Sequence, residues 1–253
     1  MIEGFATLTY LGIGGLVGLI SGLFGVGGGF LLVPLLNSVG MPMRVALGTT
    51  LLAVSFGGFT GAFRHFQRGN VHASMAPVFG ISAVAGAQLG GYLACQAPEH
   101  LLKLVLGGAC AAMALRVLTD GRRERDGGEI RDDPTTASLA GFSVGAFSGF
   151  TGSGGGMLFV PVMSSFLNFP TMLAVGTSSV IVPISALAGA AQYWSKGYVN
   201  PWAAAAIVTG MLLSSYVGAE LSNRMGGRRV KRAFSVVLAI VGAKMVLSGL
   251  KMV

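Results

Sequence analysis

Apolar stretches long enough to cross a lipid bilayer recur along almost the whole chain. One strongly polar segment, residues 119–136, interrupts the series. A hydrocarbon core of about 30 Å requires about 20 predominantly apolar residues in a helix. The pattern therefore predicts an all-α polytopic membrane protein whose apolar stretches are roughly residues 5–24, 46–63, 73–95, 100–118, 137–150, 173–191, 202–221 and 233–250.

The pattern of the first half is repeated in the second half, glycines included. Residues Gly18–Pro34 (GLISGLFGVGGGFLLVP) are followed 127 residues later by Gly145–Pro161 (GAFSGFTGSGGGMLFVP). After one inserted residue the match resumes, and Gly48-Thr49 aligns with Gly176-Thr177. We therefore divide the chain into a first transmembrane repeat (1–118), a charged cytoplasmic linker (119–136) and a second transmembrane repeat (137–253).

Three consecutive glycines in each repeat predict a break in the helix, because each helical glycine costs about 1 kcal/mol relative to alanine. Only residues 137–150 precede the second break, and about 21 Å of helix is too short to cross the bilayer. We predict that each half consists of a re-entrant hairpin with a glycine tip and three transmembrane helices. The alternative is simple crossing throughout, with 8–10 membrane segments in all.

The distribution of charge favours inverted repeats. With re-entrant hairpins the two halves are inverted, and the 17 Lys and Arg residues divide 12 to 5 between the two sides. With simple crossing the halves are parallel and the division is 10 to 7. The positive-inside rule favours the larger bias. It places the linker in the cytoplasm and both termini outside, although five crossings per half give the same division.

Composition excludes an ordinary soluble domain, since the mean hydropathy is +0.73 and only 10% of the residues are charged. The net charge of +8 lies in short loops beside the apolar stretches. We attribute it to topology and expect no nucleic-acid partner. The sequence contains no carboxylate pair, no nucleophile with a neighbouring base and no metal-spaced cluster. We therefore expect no enzyme activity, no catalytic residue, no metal site and no cofactor.

The glycine runs are the strongest candidates for a binding site. Helices that begin directly after them would present free N–H groups and the positive end of the helix dipole near mid-membrane. Such an arrangement binds an anion without a buried Lys or Arg, although glycines also serve close helix packing. The predicted substrate-binding residues at the two tips are Gly27, Gly28, Gly29, Phe30, Ser153, Gly154, Gly155, Gly156 and Met157.

Hydroxyl groups at equivalent positions extend this prediction. They open the first full crossing of each half and can hydrogen-bond a ligand, although capping or bonding within the helix is their commoner role. We predict substrate binding by Thr49, Thr50, Thr177, Ser178 and Ser179, with Ser21, Ser148 and Thr151 nearby. The aromatic residues Tyr193 and Trp194 are expected in the interfacial belt.

The doubled motif resembles the TauE/SafE family, also called the sulfite exporter or 4-toluene sulfonate uptake permease family. The resemblance rests on SGLFGVGGGFLLVPLL (residues 21–36), Met41-Pro42, ALGTT (46–50), GNV (69–71) and AVGTSS (174–179). It implies a multi-pass carrier of the cytoplasmic (inner) membrane for small sulfur-containing anions or organosulfonates.

The resulting expectation is a secondary transporter that moves sulfite, thiosulfate or an organosulfonate by alternating access between two inverted halves. Its expected partners are that anion, the lipid bilayer, a coupling ion (H⁺ or Na⁺) and further copies of the chain in a homo-oligomer. The alternatives are an anion channel and a non-transporting membrane scaffold or assembly subunit.

Overall fold

The computed structural model describes residues 2–24, 28–119, 130–225 and 227–251. These ranges are helical and contain no strand. The predicted site residue Gly27 and residues 120–129 of the linker lie outside them. The helices are α1 Ile2–Phe24, α2 Gly29–Ser38, α3 Met43–Gln67, α4 Met75–Gln96, α5 Glu99–Thr119, α6 Pro134–Thr151, α7 Gly156–Phe166, α8 Thr171–Trp194, α9 Pro201–Met225 and α10 Gly227–Leu250.

Helix α6 begins three residues earlier than the apolar pattern predicts. The carboxylate of Asp133 accepts hydrogen bonds from the backbone N–H groups of Thr135 (3.0 Å) and Thr136 (3.3 Å). Pro134 occupies the first helical position, where a missing N–H group has no consequence. This N-cap satisfies two N–H groups that otherwise lack partners, so the helix starts within the segment assigned to the linker.

The second glycine run forms the tip of a helical hairpin. The backbone N–H of Arg131, before α6, donates to the carbonyl oxygen of Leu167, after α7, at 3.1 Å. Gly149, near the end of α6, faces Ala87 and Gly91 of α4, and α4 continues to Gln96. The hairpin therefore enters and leaves at one end of the bundle, and its tip lies alongside α4 rather than beyond it.

Two equivalent helix pairs run parallel in close contact. Helix α1 packs on α9, and helix α6 packs on α4. A Cβ on Gly145 would collide with the carbonyl oxygen of Ala83, and a Cβ on Gly18 would lie 2.6 Å from the Cα of Met211. Glycines at these positions let the backbones approach each other directly, as is common between membrane helices.

Two further pairs join equivalent helices of the two halves, and both pairs are antiparallel. In the α3–α8 pair, Gly48 meets Tyr193 whereas Gly58 meets Pro183. In the α5–α10 pair, Gly107 meets Val246 and Gly242, whereas Leu104 meets Gly249. In each of these two pairs, the two helices run in opposite directions.

Large apolar side chains cover much of the outer surface. Phe63 and Phe66 of α3 are 63% and 69% exposed, and Leu213 and Tyr216 of α9 are each 71% exposed. By length and composition, two of the described helices, α4 and α8, qualify on their own as membrane spans. Shorter apolar stretches lie in α1, α2, α3, α7, α9 and α10.

Candidate functional site

Each glycine run places a glycine in the left-handed region directly before a short helix. Gly28 has φ 57° and precedes α2, and Gly155 has φ 75° and precedes α7. The carbonyl oxygen of Gly155 accepts hydrogen bonds from the N–H groups of Leu158 and Phe159. The preceding N–H groups of α7 have no acceptor in their own helix and are directed toward the tip. The same arrangement is found at Gly28.

The two tips meet in the interior of the molecule. A Cβ on Gly29 would collide with the carbonyl oxygen of Ser153. Phe30, Ser153 and Met157 are all buried, with 3%, 3% and 5% exposure. The structure therefore brings Gly29, at the N-terminal end of α2, against Ser153 in the tip that precedes α7.

Helix α3 covers one side of the second tip. Leu47 lies against Gly152, and Val54 lies against Gly154. Thr50 lies between them at helical spacing and belongs to the same face of α3. The Thr50 side chain is fully buried, and its Oγ1 has no hydrogen-bond partner among the described residues.

Ser148 adds a second buried hydroxyl without a partner in the described part of the chain. Its Cβ lies 3.2 Å from the position that a Cβ on Gly155 would occupy, so Ser148 is adjacent to the N-terminal end of α7. A buried hydroxyl without a partner costs about 1–3 kcal/mol, and native proteins contain few of them. Ser148 and Thr50 are therefore candidates for hydrogen bonds to a ligand.

Thr49 and Thr177 occupy a different environment. The hydroxyl oxygen of Thr49 accepts a hydrogen bond from the backbone N–H of Asn200, and that of Thr177 accepts one from His72, both at 3.0 Å. The antiparallel contacts of α3 and α8 place the two threonines at opposite ends of this pair, roughly 20 Å apart at 1.5 Å per residue. One small anion cannot contact both hydroxyls at once.

Four further hydroxyl residues, Thr151, Ser153, Ser178 and Ser179, hydrogen-bond near their own positions in the chain. Ser178 donates to the carbonyl oxygen of Val175 at 2.9 Å, and Ser179 donates to that of Gly176 at 2.7 Å. The hydroxyl oxygens of Thr151 and Ser153 are 2.9 Å apart. These contacts give each of the four hydroxyl groups a hydrogen-bond partner without a ligand.

Tyr193 is not in an interfacial belt, so that prediction is wrong. Its side chain is fully buried, and its hydroxyl donates to the carbonyl oxygen of Gly149 at 2.9 Å. Trp194 is exposed, as expected. Helical spacing places Tyr193 on the same face of α8 as Ala186 and Ala190, which are also buried. This helical period of apolar residues is the sequence signal that could have indicated burial of Tyr193.

Basic side chains contact the short helices at their C-terminal ends. Lys244 Nζ donates to Ser38 Oγ at 2.7 Å, and the equivalent Arg116 Nη2 lies 3.5 Å from Ser165 Oγ. A positively charged side chain at the C-terminal end of a helix interacts favourably with the helix dipole. Among the described residues, no three His, Cys, Asp or Glu side chains are grouped to hold a metal ion.

The family profile described as "Sulfite exporter TauE/SafE" matches residues 10–245. The chain belongs to the TauE/SafE family. Similar proteins include the probable membrane transporter protein YunE of Bacillus subtilis, 26% identical over 97% of this chain and 98% of the relative. A probable membrane transporter protein of Xylella fastidiosa is 31% identical over 91% of both chains.

A third relative, the probable membrane transporter protein MJ0441 of Methanocaldococcus jannaschii, is 25% identical over 93% of both chains. No solved structure matches this TauE/SafE protein. The resemblance recognised from the doubled glycine motif is therefore confirmed, and the match covers both repeats.

Proposed function

We propose that this TauE/SafE protein is a secondary transporter of a small sulfur-containing anion: sulfite, thiosulfate or an organosulfonate. The observation that carries the proposal is the contact between Gly29, at the N-terminal end of α2, and Ser153, in the tip that precedes α7. Two fully buried hydroxyls without described partners, Thr50 and Ser148, lie at the second tip. The family description supports the substrate class.

The anion would be held chiefly by the backbone. A sulfur oxyanion carries several acceptor oxygens, and the first N–H groups of α2 and α7 are donors without intrahelical acceptors. Hydrogen bonds to a charged group contribute about 1.5–3 kcal/mol each. Three or four such bonds, with Thr50 and Ser148 as further donors, can offset dehydration of the anion without a buried cation.

We further propose that the two repeats are inverted and give alternating access. The antiparallel packing of α3 on α8 and of α5 on α10 supports inversion, because equivalent helices of two parallel repeats would run in the same direction. Arg44 lies near Tyr198, and His72 lies near Phe169. If every apolar stretch crossed the membrane once, the two segments joined by each of these contacts would lie on opposite sides of the membrane. The contacts therefore count against simple crossing throughout.

The proposed topology follows from the same arrangement and the positive-inside rule. The linker lies in the cytoplasm, both termini lie outside, and the protein resides in the cytoplasmic membrane. The first repeat extends over residues 1–118 and the second over residues 137–253. Transport is proposed to be coupled to H⁺ or Na⁺.

Binding and flux measurements test the function. Purified protein is titrated with sulfite, thiosulfate, 4-toluenesulfonate, sulfate and chloride, and we expect saturable binding of at least one sulfur anion over chloride. Proteoliposomes loaded with that anion should show counterflow exchange. Flux that does not saturate and shows no counterflow would identify a channel. Absence of both binding and flux would favour a scaffold.

A further inference from the structure

Each end of the α3–α8 pair carries a contact that joins the two halves of the protein. At one end, a Cβ on Gly48 would collide with the carbonyl oxygen of Tyr198, and the N–H of Asn200 donates to Thr49 Oγ1 at 3.0 Å. The loop that connects α8 to α9 in the second half thus lies directly on α3 of the first half. We call Gly48, Thr49, Tyr198 and Asn200 the first latch.

The other end carries the equivalent contact. A Cβ on Gly176 would collide with the carbonyl oxygen of Asn70, and the N–H of His72 donates to Thr177 Oγ1 at 3.0 Å. Here the loop between α3 and α4 in the first half lies on α8 of the second half. Asn70, His72, Gly176 and Thr177 form the second latch.

The Gly-Thr dipeptides explain both contacts. The glycine leaves room for a passing carbonyl group, and the threonine oxygen then accepts the N–H found two residues further along the loop. Neither threonine hydroxyl donates to a protein acceptor among the described residues. Along α3, Gly152 of the second tip packs on Leu47 beside the first latch, and Gly154 packs on Val54, further along the helix toward the second latch.

We propose that the two latches are the gates of the transporter, and that release of one latch opens the tip site toward one side while the other stays closed. This inference rests on the proposed transport function. Each latch contains one hydrogen bond between the halves, and loss of one such bond changes an equilibrium only about three- to ten-fold. A latch of this strength can open repeatedly during a transport cycle.

The side-chain contacts around the two latches differ. Near the first latch, Arg44 lies 5.7 Å from the centre of the Tyr198 ring and donates to the carbonyl oxygen of Ala97 at 3.0 Å. In the second latch, His72 lies 3.4 Å from the carboxylate of Asp132, in the segment that leads into α6. Within the described part of the chain, the second latch is therefore the one that contacts the segment between the halves.

Thiol labelling tests the gates independently of transport. Cys95 and Cys110 are first replaced by alanine, and a single cysteine is introduced as Ala46→Cys or Ala174→Cys. These alanines are equivalent, fully buried and one turn from Thr49 and Thr177, respectively. A hydrophilic thiol reagent is applied to the purified protein, and the labelling rate at each reporter is measured in Thr49→Val and Thr177→Val backgrounds.

We expect Thr49→Val to accelerate labelling about three- to ten-fold at the Ala46→Cys reporter and not at the Ala174→Cys reporter. Thr177→Val should produce the reverse pattern. Thr49→Ser and Thr177→Ser retain the acceptor oxygen and should label at the parental rate. Thermal unfolding of every variant separates gate opening from general destabilisation.

Unchanged labelling in both valine variants, or equal acceleration at both reporters, would overturn the gate proposal. Anion binding is measured on the same preparations, so the two proposals can fail separately. End-selective labelling without binding of any sulfur anion would retain the gates and reject the substrate class. Binding of a sulfur anion together with unselective labelling would retain the substrate class and reject the gates.

Discussion

Gly29 lies against the backbone carbonyl of Ser153, closely enough that any side chain on Gly29 would collide with that oxygen. The two residues belong to different repeats, and they join the N-terminal end of α2 to the tip that precedes α7. The candidate anion site is therefore built by both halves of the chain. A change at either tip is expected to affect the other.

Leucine at the tip glycines should abolish transport. Gly28 and Gly155 have positive φ, which costs an L-residue about 1–2 kcal/mol. A Cβ would also lie 2.7 Å from Val17 Cγ1 or 2.9 Å from Phe159 Cε2, respectively. We expect Gly28→Leu and Gly155→Leu to insert into the membrane but to show no anion uptake in proteoliposomes.

Gly108→Leu is the matched control for these variants. Gly108 is an exposed helical glycine, and a Cβ at this position would meet no atom within 4 Å. Its uptake should equal that of the parent protein. If the two tip variants transported as well as Gly108→Leu, the glycine runs would serve helix packing alone.

Removal of the Ser148 hydroxyl should weaken anion binding without lowering the stability of the fold. Because this buried oxygen has no partner in the described residues, Ser148→Ala should leave the unfolding temperature unchanged or raise it. Anion binding should weaken by about 0.5–3 kcal/mol, since a hydrogen bond to the charged ligand is lost. Calorimetric titration and thermal unfolding provide the two measurements.

Ser185→Ala serves as the control, because Ser185 is equally buried but donates to the carbonyl oxygen of Val182 in its own helix. Its binding constant should equal that of the parent. A Ser148→Ala protein that binds the anion with parental affinity would remove Ser148 from the site. Thr50→Val tests the neighbouring hydroxyl in the same way.

The sequence predicted the helical class, the repeat and the break at each glycine run, because these follow from local hydrophobicity and backbone freedom. It did not predict the partners of Thr49 and Thr177. The donors, Asn200 and His72, lie 151 and 105 residues away along the chain. The hydroxyl contacts therefore depend on how the halves pack, which hydrophobic period alone does not determine.

Cysteine accessibility tests the proposed topology. In a variant without Cys95 and Cys110, single cysteines are introduced at three exposed positions: Val39 (two residues before Met41), Lys196 or Arg131. We expect an impermeant thiol reagent to label the first two positions in intact cells and to label Arg131→Cys only after lysis. Labelling of Val39→Cys and Lys196→Cys from opposite sides would contradict the inverted arrangement.

Asp133 should make the start of α6 sensitive to acid. A hydrogen bond from the Thr136 side chain, together with backbone N–H donors, lowers the Asp133 pKa from its ordinary value of 3.8. The folded state therefore binds this proton less readily than the unfolded state. Its stabilising contribution is complete above about pH 4 and is lost as the pH falls through the lowered pKa.

The measurement is thermal unfolding of the parent and of Asp133→Asn in detergent between pH 3 and pH 7. Asparagine also caps helices but does not titrate in this range. The difference in unfolding temperature should be constant at neutral pH and should decrease below about pH 4. A difference that is independent of pH would mean that the ionised carboxylate does not stabilise α6.

Lys244→Gln distinguishes recognition by the backbone from recognition by a cation. Lys244 Nζ donates to Ser38 Oγ at the C-terminal end of α2, whereas the proposed anion site is at the N-terminal end. The substitution keeps a hydrogen-bond donor and removes the charge, so anion affinity should change by less than about 1 kcal/mol. The equivalent substitution Arg116→Gln should have a similarly small effect, because Arg116 lies at the C-terminal end of α7. Calorimetric titration of the two variants beside Ser148→Ala provides the comparison. Loss of binding in Lys244→Gln, with parental affinity in Ser148→Ala, would place the anion beside α10 and reject the site at the glycine tips.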